Sequence, residues 1–140
     1  MPLWQIHHPV GAYSEQDKRA FATDITAIYT AVGLPAFYVV VLFHEVPAAD
    51  YYVGGEPSDA TVRIVVKHLA RHLDDPDRRR VMTERLDATL HPYTRDRKLH
   101  WEFHVEESPR DLWMIAGLWP PDPGTDAERA WAEANRPLPY

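Results

Sequence analysis

The chain has no cysteine. That excludes disulfide cross-links, thiolate metal sites and cysteine nucleophiles. Positive charge is also short: 15 Lys and Arg stand against 21 Asp and Glu, for a formal charge of −6. A nucleic-acid binder needs a basic face for phosphates, so that class is disfavoured. The one dense basic run, Arg78-Arg79-Arg80, lies in an acidic stretch and reads as a solvated helix face. No long hydrophobic run exists. The longest, Phe37 to Phe43, is far too short to cross a bilayer. The N-terminus lacks the basic and apolar regions of a signal peptide. A soluble cytosolic protein with no membrane partner is the expectation.

Aromatic residues are plentiful, with five Trp, seven Tyr and four Phe, and 45% of the 140 residues are apolar. That is enough for one real core and argues against disorder. Leu3 to His8 is short and extended, closed by Pro9 and Gly11. Ser14 then has the character of an N-cap, with Glu15 and Asp17 in the first turn. Ala20, Phe21, Ile25, Ile28, Tyr29 and Val32 recur at helical spacing, and Gly33 closes the helix ahead of Pro35. Phe37 to Phe43 is apolar at nearly every position, which predicts a central strand covered on both faces. A loop region over 44–60, with room for a small hairpin, leads to a second round. This comprises a strand over Thr61–His68, a helix from Asp77 to about Leu90 and a strand over Leu99–Val105. The tail from Pro109 holds six of the thirteen prolines and a short helix, Asp126–Asn135. Such a tail either wraps a neighbouring subunit or lies on its own domain.

Pro2 is the first residue with chemical promise. Methionine is normally removed before a small residue such as proline, which frees a prolyl secondary amine. Burial or a nearby cation lowers the pKa of such an amine toward neutrality, where it serves as general base or, protonated, as general acid. Alone, a proline at this position is an ordinary terminal residue, so context decides. His68 and His72 are four apart, yet the segment reads as strand end and turn. No glutamate lies between them, so a metal is not expected. His7, His8 and His44-Glu45 read as exposed strand-end residues, and Arg63, within a strand, as a buried ion-pair partner in preference to a pocket cation. Trp101 and Trp113 read as core or pocket wall.

The ordered set of segments supplies the context. Met1–Ile6, Asp24–Tyr29, Phe43-His44-Glu45-Val46-Pro47-Ala48, Val53-Gly54-Gly55, Val66–Arg71, Trp101-Glu102-Phe103 and Pro121-Asp122-Pro123-Gly124 together resemble the tautomerase superfamily. Within it they look most like the cis-3-chloroacrylic acid dehalogenase group and its oxalocrotonate tautomerase-like branch. The resemblance implies an α+β fold of two tandem β-α-β units, forming a four-stranded sheet with two helices on one face. It divides the single domain, 1–140, into units 2–44 and 61–106 and a tail from 107. It implies a homotrimer with sheets turned inward and no cofactor or metal.

The family's site residues carry over unevenly. The catalytic proline falls on Pro2. The first carboxylate-binding arginine falls on Arg71, through Leu69-Ala70-Arg71. The second would fall near Asp74 and is missing, with His72 as a neighbouring substitute. A carboxylate-binding histidine becomes Tyr29, and a tyrosine on the last long strand becomes Phe103. The water-activating glutamate would fall near Ile115, where no carboxylate stands. His68 is expected in a turn or pocket wall. The implied function is a cofactor-independent tautomerase acting on a small carboxylate substrate through Pro2. Hydration, dehalogenation or decarboxylation of a three-carbon acid on the same amine is one alternative. A non-catalytic binding member is another.

Overall fold

The computed structural model describes residues 1–140. Its centre is a mixed sheet of four strands in the order β2-β1-β5-β6. These are β1 (Leu3–Pro9), β2 (Val40–Val46), β5 (Thr61–His68) and β6 (His100–Glu107). A two-residue hairpin pair, β3 (Tyr52–Val53) and β4 (Glu56–Pro57), sits in the intervening loop. Strand β1 runs parallel to β2 through helix α1 (Glu15–Thr30), and β5 runs parallel to β6 through α2 (Pro76–Leu90). The two β-α-β units meet antiparallel along β1 and β5, with Trp4 opposite Val66 and Ile6 opposite Ile64.

Alternation along the strands decides which face is covered. Trp4, Ile6 and His8 of β1 and Val62, Ile64, Val66 and His68 of β5 are buried beneath the helices. Helix α1 answers with Phe21, Ile25 and Tyr29, and α2 with Leu86 and Leu90. Both helices start where side chains take up free backbone N–H groups. Ser14 and Asp17 form a reciprocal capping box, each side chain 3.0 Å from the other's backbone N–H. Asp75 caps α2, accepting from the Asp77 N–H at 2.9 Å. Gly33 ends α1 in the left-handed region (φ +84°), and the Leu34 N–H turns back to Tyr29 O at 3.2 Å.

Three expectations need correction. Phe37–Phe43 is not a central strand covered on both faces. Pro35 opens a 3₁₀ turn over Ala36–Tyr38, and the strand begins at Val40, on the edge of the sheet. The apolar residues before it are covered by the tail instead: Phe37 and Tyr38 pack on Trp131, and Tyr38 on Trp113. His8 is not an exposed strand end either. Strand β1 continues to Pro9, which turns His8 inward; it is wholly buried, its Nδ1–H donating to Pro9 O at 2.9 Å. The last strand, expected over Leu99–Val105, runs from His100 to Glu107.

The tail lies on its own chain. Its helix α3 (Asp126–Ala134) buries Trp131 completely, and Asn135 Oδ1 accepts the Phe37 N–H at 2.8 Å. The sheet's other face carries polar partners. Arg63 there pairs with Glu102 at 3.0 Å and donates to His104 at 2.7 Å, the structural role expected of it. No helix is long and apolar enough to cross a membrane.

Candidate active site at the N-terminus

Strand directions bring distant segments to one end of the sheet. Strand β1 starts where the parallel pair β5 and β6 ends, since Leu3 lies opposite Lys67 and His68 beside Glu107. Pro2, the segment His68–Leu73 and the start of the tail therefore converge. Pro2 is buried, and its carbonyl accepts the Val40 N–H at 2.9 Å. It lines a cleft of about 620 Å³ between α1, α2 and the segment after β5. The walls are mostly apolar, with Ile28, Val32, Leu34, Val81 and Met82 among them. Arg71 and His72 line it too, as do Tyr29 and His68.

Tyr29 joins two other side chains. The Trp4 indole N–H donates to its hydroxyl at 2.9 Å. The phenolic proton is then free to go to His68 Nε2, 2.8 Å away. Burial depresses the His68 pKa to about 4, reinforced by the nearby terminal amine and His72 and opposed by Glu107. His68 is thus neutral near pH 7. Burial also holds the Tyr29 phenol protonated far into alkali. The Trp4–Tyr29–His68 chain is a rigid, uncharged wall beside Pro2.

Charge enters from the other side. The terminal amine of Met1 is pushed down to about 4, first by burial and then by the positive fields of Arg110 and Arg71. An amine in these surroundings stays neutral at pH 7, with its lone pair available. Arg71 is itself engaged. Its Nη2 donates to both carboxylate oxygens of Glu128, at 2.9 and 3.0 Å, and its Nη1 to Ala70 O at 3.1 Å. Glu128, buried at the start of α3, also accepts the Gly124 N–H at 2.8 Å. His72 stands half exposed at the cleft edge, its Nδ1 4.0 Å from Glu107.

Pro2, Tyr29, His68, Arg71 and His72 are therefore brought to one cleft. Phe103 is not. It sits in mid-β6 beside Ile64, packed against the core and away from the cleft lining. Ile115 lies in the tail, bridged to Leu118. His68 and His72 share no helix, and no three His, Asp or Glu side chains are grouped as metal ligands. Sequence reasoning missed Arg110, Glu128 and Tyr38. The signal for Arg110 was topological: β6 ends beside His68, so the residues just after it must arrive at Pro2. Thr125-Asp126-Ala127-Glu128 carried the pattern of a capped helix start, with nothing to say that Glu128 would face Arg71.

A four-stranded mixed sheet of two β-α-β units meeting antiparallel is the architecture of the tautomerase superfamily. The chain belongs to the family described as "Putative oxalocrotonate tautomerase enzyme", whose model matches residues 1–136. Its fold is shared with RhCC from Rhodococcus jostii RHA1, which is 42% identical over 99% of both chains with a TM-score of 0.96. A protein described as a probable enzyme from the thermophilic fungus Aspergillus fumigatus is 40% identical. That match covers 100% of this chain and 98% of the other, with a TM-score of 0.94. N1, a member of the cis-3-chloroacrylic acid dehalogenase family, is similar in fold alone, at 17% identity over 95% and 97% of the chains and a TM-score of 0.74. No functionally curated protein sequence matches the chain.

Proposed function

We propose that the protein is a cofactor-independent tautomerase that moves a proton on a small carboxylate-bearing substrate, with Pro2 as its acid and base. The observation that carries this reading is the setting of Pro2, buried at one end of a largely apolar cleft that Arg71 also lines. Removal of Met1 transfers the free amine to Pro2. The ring fixes its direction, and the burial and arginine charges that depress the Met1 amine would act on the Pro2 amine in the same sense. Neutral Pro2 takes a proton from the substrate's enol oxygen or α-carbon and returns it to the other atom. Arg71, which lines the cleft while its Nη2 is held by Glu128, orients the carboxylate together with His72 at the cleft edge. Tyr29 and His68 form the uncharged wall. By topology Phe103 shapes the sheet beneath the helices rather than the cleft.

The hydrolytic alternative needs a carboxylate held beside Pro2 to activate water; Asp77 lines the cleft only from the exposed start of α2, and the two carboxylates beside Arg71 and His72 are taken. Glu128 is held by Arg71 and Gly124. Glu107 accepts the Leu73 N–H at 2.9 Å and lies 3.4 Å from Arg79. Proton transfer by Pro2 needs neither. Strands β2 and β6 leave both sheet edges unpaired, and a homotrimer with sheets turned inward would cover them. The test is turnover of enol–keto acids followed by ultraviolet absorbance, in wild type and Pro2→Ala. Undiminished turnover in Pro2→Ala would refute the proposal.

A further inference from the structure

The cleft is larger than a three-carbon acid needs. Its volume of about 620 Å³ is that of sites that enclose a drug-sized ligand, about 300–1,000 Å³. It lies where the C-terminal end of α1 faces the N-terminal half of α2. Helix α2 turns one face to it, with Arg78, Val81, Met82 and Arg85 at helical spacing. Across from them stand Ile28 of α1 and Val32 in the turn after it. Val32 and Val81 are 56% and 64% exposed. An exposed valine by itself needs no explanation, but these two line one cleft from its two sides.

Two features select the occupant. Polar groups gather where the cleft meets the sheet, since Arg71 and His72 follow β5 and Pro2 precedes β1. The α2 lip adds exposed Arg78 and Arg85 against a single carboxylate, Asp77, so an anion is drawn in. The walls between are mainly aliphatic. Tyr29 brings a ring, but its hydroxyl is engaged with Trp4 and His68. Met82, unbranched and flexible, moulds to a chain in more than one conformation. An anionic head and an aliphatic body therefore match the two parts of the cleft.

We propose that the substrate is a medium-chain acid, its carboxylate at the Arg71–His72 end of the cleft and its alkyl body running between α1 and α2 to cover Val32 and Val81. This rests on the Pro2 cleft being the substrate site, but its test measures binding and not turnover. Acetate, butanoate, hexanoate and octanoate are titrated calorimetrically into the mature wild type, Val32→Asp, Val81→Asp and, as a control, Val10→Asp. Val10 is 63% exposed and lies just past the end of β1 opposite to Pro2. All three valines are at the surface, so the substitutions leave the fold intact, which melting temperature checks. Wild-type affinity rises about threefold to fourfold with each methylene buried. Val32→Asp and Val81→Asp each weaken octanoate about tenfold or more and flatten the series, while Val10→Asp keeps it. Sedimentation velocity shows the same assembly state in all four proteins. Affinity independent of chain length, octanoate bound equally by wild type and both cleft variants, or no binding at all, overturns the proposal. A changed assembly state in Val81→Asp also overturns it, by assigning the valines to a contact between copies. If the series behaves as described while Pro2→Ala still turns over enol acids, the ligand class stands and the catalytic reading falls. A flat series with turnover lost in Pro2→Ala does the reverse.

Discussion

Replacing Glu128 by alanine removes three hydrogen bonds at once: two from Arg71 Nη2 and one from the Gly124 N–H. The carboxylate side chain is 5% exposed, whereas that of Arg71 is 33% exposed. Stripping one member from a fully buried ion pair costs about 3–5 kcal/mol, because the other charge is stranded. Arg71 can turn partly to water, so the expected loss here is nearer to about 2–3 kcal/mol. At this chain length that is a fall of about 3–5 °C in Tm per kcal/mol. The pair's own share is isolated by a double-mutant cycle with Arg71→Ala. Charge-assisted bonds discounted for exposure predict a coupling of about 1–2 kcal/mol. Urea denaturation at one fixed protomer concentration is the assay, since any assembly makes stability concentration-dependent. A coupling energy indistinguishable from zero would show that Arg71 does not depend on Glu128. Arg71 would then keep its charge free for a substrate anion.

Three further outcomes are expected. Intact mass of the purified protein should lack Met1, and Pro2→Ala should abolish turnover; an active protein retaining Met1 would sink the amine mechanism. His68 should make the fold acid-sensitive. Its folded pKa of about 4 lies below the ordinary 6.5, so the unfolded chain takes the proton first as pH falls. Stability is then full above pH 6.5 and is lost down to about pH 4, by up to roughly 3 kcal/mol. His68→Gln should flatten that slope in melts across pH 4–7, and an unchanged slope would assign the sensitivity elsewhere. Tyr29→Phe strands the Trp4 N–H and removes the donor to His68, which should cost about 2–4 kcal/mol by denaturant titration.

Pattern read from the chain found elements whose burial follows a simple period. Thr61–His68 alternates cleanly, and its strand has the expected bounds. Ser14 and Asp17 mark a helix start by a local bond that needs no distant partner. Phe37–Phe43 failed because an apolar run reports burial without naming what does the burying. Its cover is Trp113 and Trp131, more than seventy residues away in the tail. The site divides in the same way. Pro2, Tyr29, His68, Arg71 and His72 lie at the strand and helix ends of the two repeating units, so knowing the units placed them. Arg110, Glu128 and Tyr38 are joined to them by tail contacts that no period encodes.

The lost carboxylate at Ile115 takes on a different meaning once Glu128 is located. A buried carboxylate does stand beside Arg71, but on α3, with both oxygens bound by that arginine. Activating water would require Glu128 to leave that pair, exposing a stranded guanidinium at a cost of a few kcal/mol. General-base assistance contributes about 10²–10⁴ in rate, roughly what such a cost would cancel. Hydrolytic dehalogenation of a cis-3-haloacrylate should therefore be faint, while Pro2-driven tautomerisation is untouched by the pairing. The decisive comparison is Glu128→Gln, which keeps an acceptor for Arg71 and removes the base. If wild type releases halide efficiently and Glu128→Gln does not, then Glu128 does leave Arg71 to activate water. The ion pair would then be a resting state rather than a fixed support.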